Sequence, residues 1–159
     1  MAHWKDGCAI RRSCRIFGCV SNRQPRFQTL TRALAEVRIG ELIALAADVD
    51  AWGTENFLFE LPGKWDLSFL AEDEGLLGYA ILSRKAPDRV HLHHFMLGAA
   101  ARGRGVGTTM LAEVRRRARP SRLTLKVHRD NLRAIAFYRR EGFVLREAPD
   151  AYLWMEDAA

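Results

Sequence analysis

RVHLHHFML-GAAARGRGVG-TTMLAEVRRRARP, residues 89–120, carries three kinds of local order in succession. Arg89 to Leu97 reads as a strand, whose alternation assigns His91, His93, Phe95 and Leu97 to one face and Leu92, His94 and Met96 to the other. A glycine-rich loop follows, and from Val106 the apolar positions Met110, Leu111, Val114 and Ala118 recur at helical spacing until Pro120 stops the helix. A helix that opens on such a loop is an anion site, because the free N–H groups of its first turn and its macrodipole both favour negative charge. Gly105 and Gly107 allow a phosphate to approach the backbone with no Cβ in the way. No Lys-Ser or Lys-Thr follows, as a Walker loop requires, and the unit lies too late in the chain for a dinucleotide fingerprint.

Downstream, Arg122 to His128 points Leu123, Leu125 and Val127 inward as a strand, Asp130 is expected to cap a helix ending at Gly142, and Phe143 to Leu145 with Ala151 to Met155 form a hairpin around Ala148-Pro149-Asp150. Upstream, Trp65 to Glu72 and Leu76 to Ser83 flank Asp73-Glu74-Gly75 as two antiparallel strands. Thr31 to Asp48 reads as one helix around Gly40, and Thr54 as the cap of a shorter helix that ends at Pro62-Gly63. Met1 to Pro25 shows no sustained period, although Cys14 to Val20 passes for a short strand. The expectation is a mixed α/β (α+β) fold, with a basic segment at 1–25 and a single domain at 26–159.

The 159 residues suit one domain, and 48% hydrophobic with 28% charged residues is ordinary for a globular protein. No apolar run reaches the ~20 residues of a membrane span, and the start lacks the order of a secretory signal, so the cytoplasm is the expected compartment and no membrane partner is expected. Cys8, Cys14 and Cys19 are odd in number and lack C-x-x-C spacing; they read as reduced thiols, and no metal site is expected. The net charge of +6 suits nucleic acid, a membrane surface or a phosphorylated ligand. Placement favours the third, since Arg102, Arg104, Arg133, Arg139 and Arg140 fall around the glycine loop and the helix after Asp130, while no nucleic-acid motif is evident. A homodimer is compatible with the composition.

Two motifs add specificity. Arg102-x-x-Gly105-x-Gly107, followed after a helix and a strand by Asn131-x-x-Ala134-Ile135-x-x-Tyr138 and Glu141-Gly142-Phe143, resembles the signature motifs of the GNAT superfamily of acetyl-CoA-dependent N-acetyltransferases. The resemblance covers about Leu67 to Met155; a departure is Leu97-Gly98-Ala99, where many members have a proline after the strand. It implies a mixed, mostly antiparallel sheet flanked by helices, whose two central parallel strands, here Arg89 to Leu97 and Arg122 to His128, splay to admit the pantetheine arm. It also implies that acetyl-CoA is bound by Phe95, Met96, Leu97, Arg102, Gly103, Arg104, Gly105, Val106, Gly107, Thr108, Asn131, Ala134 and Tyr138. In that reading Tyr138 donates a proton to the leaving thiolate and Asn131 bonds the pantetheine amides. The residues alone leave Tyr138 open as a packed aromatic and Asn131 as a helix-start residue.

The implied acceptor is an amine, which with an alkylamine pKa near ~10 must lose a proton before it attacks. His91 and His93, placed on one side of the strand, resemble the paired histidines of the arylalkylamine N-acetyltransferase branch and are the candidate proton path. His93 lies nearer the strand end, and activity is expected to rise with pH through the ordinary histidine range near ~6.5. The alternative for each is a core or surface histidine satisfied by its neighbours. Asp48, Asp50, Glu55, Glu60 and Glu72 are rivals for the base, and Trp52, Phe57, Phe59 and Tyr152 supply an apolar acceptor wall. Two other classes compete with the enzyme: a non-catalytic module binding CoA or a protein, and a nucleic-acid binder resting on charge alone.

Overall fold

Leu76–Ala86 (β3) and Arg89–Leu97 (β4) are the centre of the sheet, antiparallel from Gly78↔Leu97 to Ala86↔Arg89. In this computed structural model residues 24–47, 52–148 and 150–158 are described. Phe69–Glu72 (β2) and Arg26–Thr29 (β1) extend the sheet beyond β3. Beyond β4 lie Arg122–His128 (β5), then Tyr152–Asp157 (β7), with Phe143–Glu147 (β6) at the far edge. Every pairing is antiparallel except β4 with β5. The expected mixed sheet is therefore present, as is the closing hairpin, whose second strand inserts between β5 and β6.

Helices cover both faces. Val106–Ala118 (α5) and Leu132–Arg140 (α6) bury Met110, Leu111, Val114, Ile135 and Tyr138 against Leu92, Leu123, Leu125 and Val127. On the other face Arg32–Val37 (α1), Ile39–Ala46 (α2) and Thr54–Leu58 (α3) bury Ala35, Leu42 and Phe57 against Leu70, Tyr79, Ile81 and Met96. These two cores separate a side built by the late helices from a side built by the early ones.

Several expectations are corrected. The helix expected over Thr31 to Asp48 is two, because Arg38 leaves helical geometry at φ −103° and ψ 14° while its guanidinium bonds Glu41 and Glu72. The short helix takes its cap from Gly53, with the Asn56 side chain accepting the Gly53 N–H at 3.0 Å; Thr54 is its first residue. The strand expected from Trp65 begins at Phe69, since Gly63 in the left-handed region opens the helical turn Lys64–Leu67 (α4). Asn131 replaces Asp130 as the cap of α6, its Oδ1 accepting the Ala134 N–H at 3.0 Å. The strand suggested at Cys14 to Val20, the three cysteines, Asp48 and Asp50 lie outside the described residues.

Candidate active site

The parallel pairing of β4 and β5 runs only from Arg89↔Arg122 to Leu92↔Leu125. Past that pair the strands part, so the β5-facing edge of β4 from His93 to Leu97 makes no ladder bonds with β5. Backbone groups left so seek partners, and an extended amide-bearing ligand supplies them. On the α5–α6 side this gap opens into a cleft of about 660 Å³ lined by Phe95, Met96 and Leu97 of β4, the glycine loop, and Asn131, Ala134, Phe137 and Tyr138 around α6.

The geometry of the loop suits an anion. Leu97 ends β4, a 3-10 turn at Ala99–Ala101 follows, and the Arg102 Nε donates to the Leu97 carbonyl at 2.9 Å, tying loop to strand. Gly103 and Gly105 have φ of 74° and 78°, which L side chains rarely adopt, and no atom lies within 4 Å of where a Cβ of either would stand. With Gly105 as cap, the first intrahelical amide bond of α5 comes from Thr109. The N–H groups of Val106, Gly107 and Thr108 thus begin the helix with no helical acceptor. Arg102, Arg133 and Arg140 add positive charge to the lining. A pyrophosphate and a pantetheine arm fit this arrangement, the first by charge and free amides, the second by the unpaired edge of β4.

Tyr138 stands where α6 meets the gap. Its ring packs against Phe95, Phe137 and Phe143, and 7% of the residue is exposed, in the cleft. The hydroxyl makes no hydrogen bond to a described residue. Burial pushes its pKa up, well beyond the ordinary tyrosine value, so it carries its proton throughout the physiological range.

The histidines occupy the other face. The β3–β4 register steps from Leu82↔Leu92 to Ile81↔His94, so His93 is an extra residue and the alternation reverses there. Phe95 and Leu97 therefore join Leu92 on the α5–α6 side, while His94 stacks on Trp52 and Met96 packs with the α1–α3 core. The expected grouping of Phe95 and Leu97 with the histidine pair is thus wrong. His91 and His93 do sit together, with ring centres 4.8 Å apart. His91 Nδ1 lies 3.0 Å from Thr124 Oγ1, which donates its own proton to the Val90 carbonyl. The hydroxyl must then accept from His91, which carries its proton on Nδ1 and leaves Nε2 basic. His93 Nε2 lies 2.7 Å from Ser83 Oγ. Burial, with nearby Lys85, lowers His91 to about 3 and His93 to about 4, so both are neutral from mildly acidic pH upward.

Beside His94, Trp52 and the α3 residue Phe57 stand in edge contact, with Trp52 stacked on the His94 ring. The buried Lys64 holds α3, its ammonium donating to the carbonyls of Phe57 and Phe59 at 2.6 and 2.7 Å; desolvation lowers its pKa to about 8. Of the rival carboxylates, Glu60 bonds Arg32 and the Trp65 indole N–H, Glu72 bonds Arg38, and Glu55 is exposed on α3.

Thus the cleft gathers Phe95, Met96, Leu97, Arg102, Gly103, Gly105, Gly107, Thr108, Asn131, Ala134 and Tyr138. The Val106 side chain turns into the core, leaving its backbone N–H at the helix start, and Arg104 runs back toward the Ala100 carbonyl. Arg133 and Arg140, whose charge was expected around the loop, also line the cleft, and Phe137, which was missed, lies between them at i+4 and i+7 spacing on the same helix face. Gly78 was missed as well: a Cβ there would lie 2.4 Å from the Met96 carbonyl, and a glycine inside an apolar strand is the mark of such a close approach.

The model of the acetyltransferase (GNAT) family matches residues 27–143. N-alpha-acetyltransferase RimI of Mycobacterium tuberculosis is 37% identical over 119 residues, which cover 72% of this chain and 75% of that protein. Among solved structures, PaiA N-acetyltransferase from Thermoplasma acidophilum in complex with coenzyme A superposes with a TM-score of 0.69 at 18% identity, covering 85% of this chain and 99% of that one. Diaminobutyrate acetyltransferase EctA from Paenibacillus lautus, in complex with L-2,4-diaminobutyric acid and coenzyme A, gives 0.65 at 13% identity, covering 84% and 94%. By the family match and the RimI likeness together, the chain belongs to the acetyltransferase (GNAT) family and is an acetyl-CoA-dependent N-acetyltransferase.

Proposed function

We propose that the acceptor is the N-terminal α-amine of a polypeptide and that it attacks the acetyl thioester directly while both substrates are bound. The parting of β4 and β5 carries this reading, because it leaves the edge of β4 unpaired beside the cleft on the α5–α6 side, directly after the strand segment that bears His91 and His93 on the other face. The likeness to RimI, named for α-amine acetylation, supports the choice of amine.

In this mechanism the Val106, Gly107 and Thr108 amides hold the pyrophosphate, the unpaired edge of β4 orients the pantetheine, and Asn131 closes the near wall. The acceptor enters from the α1–α3 face beside Trp52 and Phe57. Its ammonium proton leaves through His93, with His91 behind it. Neutral imidazoles of depressed pKa are weak bases, so the proton moves on to solvent and is not stored. Backbone N–H groups of Phe95 to Leu97 polarise the thioester carbonyl, and Tyr138 gives its proton to the departing thiolate. Residues 26–159 act as one domain in this reading.

The test is thiol release from acetyl-CoA against free-amine peptides, their N-acetylated copies and simple alkylamines. Turnover with free-amine peptides, absent for the blocked copies and at least about tenfold above alkylamines in kcat/KM, is expected. Equal or faster turnover of alkylamines would move the acceptor to small molecules.

A further inference from the structure

Lys126 is the first residue of β5 beyond the last parallel pair, Leu92↔Leu125. Its neighbours Leu125 and Val127 lie in the α5–α6 core, so strand alternation turns Lys126 to the opposite face. It therefore stands at the edge of the gap, across from His93, which is the first residue of β4 beyond the same pair. The Lys126 ammonium lies 4.2 Å from the centre of the Trp154 ring, and that ring lies 5.6 Å from His91. Indole, lysine and histidine thus form one contiguous surface beside the point where the strands part.

An exposed lysine ordinarily meets a carboxylate or extends into water, yet this one is folded over an aromatic ring. Among the described residues no carboxylate is within ion-pair distance of it. Glu156, on the same face of β7, pairs with Arg146 at 3.5 Å. Glu147 of β6 stands across from Trp154 on the side away from Lys126, two strand spacings off, or about 10 Å. Lys85 and Arg89 add charge of the same sign around His91. The gap edge is thus cationic, and the Trp154 ring holds one cation in place.

We propose that Lys126 is the specificity cation of the acceptor site, binding a carboxylate that the acceptor carries close to its reacting amine. On the reading that the acceptor is a polypeptide N-terminus, the favoured substrates are peptides with Asp or Glu among their first residues. An acceptor carrying Lys or Arg there is disfavoured by like charge. Trp154 positions the ammonium, and its ring gives the acceptor backbone an apolar surface to lie on.

The experiment measures kcat/KM by thiol release for peptides identical except for Glu, Gln or Lys at the second position. It compares the wild-type enzyme with Lys126→Met and Lys126→Glu. The wild type is expected to prefer Glu over Gln by about tenfold, the scale of one charge-assisted hydrogen bond, with the difference in KM. Lys126→Met should bring that ratio close to one, and Lys126→Glu should shift preference to the Lys peptide. Unchanged CoA affinity and Tm in both variants tie the shift to acceptor recognition. Equal values for Glu and Gln peptides in the wild type, or a preference that survives Lys126→Met, would overturn the assignment. If every peptide fails while small amines react, the polypeptide reading falls alone. The same comparison made with amino acids against their amides then decides the role of Lys126.

Discussion

In the proposed mechanism burial assigns chemical work to Tyr138 and to the histidine pair. The Tyr138 hydroxyl has no hydrogen-bond partner among the described residues and a raised pKa, which suits the proposed role as acid. Tyr138→Phe keeps the ring contacts with Phe95, Phe137 and Phe143; CoA affinity by calorimetry is expected to stay while kcat falls by about 10²–10⁴-fold. A wild-type kcat would return Tyr138 to packing. For His91 and His93 the folded pKa values, about 3 and 4, lie below the unfolded value near ~6.5. Between these limits the unfolded chain binds more protons, so this stability is fully present above pH ~6.5 and is lost as pH falls through about 4 toward about 3. Thermal scans should show Tm falling over that window, and His91→Gln with His93→Gln should flatten the fall. The rise of activity expected through the ordinary histidine range moves with these values: any limb due to His93 belongs near pH 4, and a limb near 6.5 to 8 reports the acceptor amine. The residue types were legible in the sequence, but their pKa values were not, because desolvation depends on which face of the sheet is covered.

At the scale of elements, the loop and its helix were the most legible part, since glycine spacing, helical periodicity and Pro120 all act locally. The strands from Arg89 to Leu97 and from Arg122 to His128 have the bounds that alternation gives them. What alternation misread is the bulge at His93, a cross-strand property set by pairing with β3, which exchanged the faces of Phe95, Leu97, His94 and Met96. Likewise the break at Arg38 comes from a guanidinium engaged by Glu72 of β2, a partner distant in sequence. Short β1 lacked any local signal, its four residues gaining order from β2. The loop makes a prediction of its own. Asn and Asp both tolerate the left-handed conformation of Gly105, but only Asp adds negative charge where α5 begins. Gly105→Asp should weaken acetyl-CoA binding by about ten- to thirty-fold relative to Gly105→Asn, at similar Tm, because a charge at a helix terminus is worth up to ~2 kcal/mol. Equal affinities would remove the pyrophosphate from this site.

For the whole molecule, the sheet is a partition whose two central parallel strands stop pairing after Leu92↔Leu125. The late helices and glycine loop line the cleft on one face, and the early helices, the histidines, Lys126 and Trp154 lie on the other. In the proposed mechanism the strands' parting beyond Leu92↔Leu125 is where a thioester from one side meets an amine from the other, with no acyl group parked on the protein between them. The direct test is two-substrate initial-rate kinetics, with acetyl-CoA and a free-amine peptide both varied and thiol release recorded. Double-reciprocal lines that intersect are predicted, because both substrates occupy the gap together; parallel lines, with acetylated enzyme recoverable in the absence of peptide, would contradict the account.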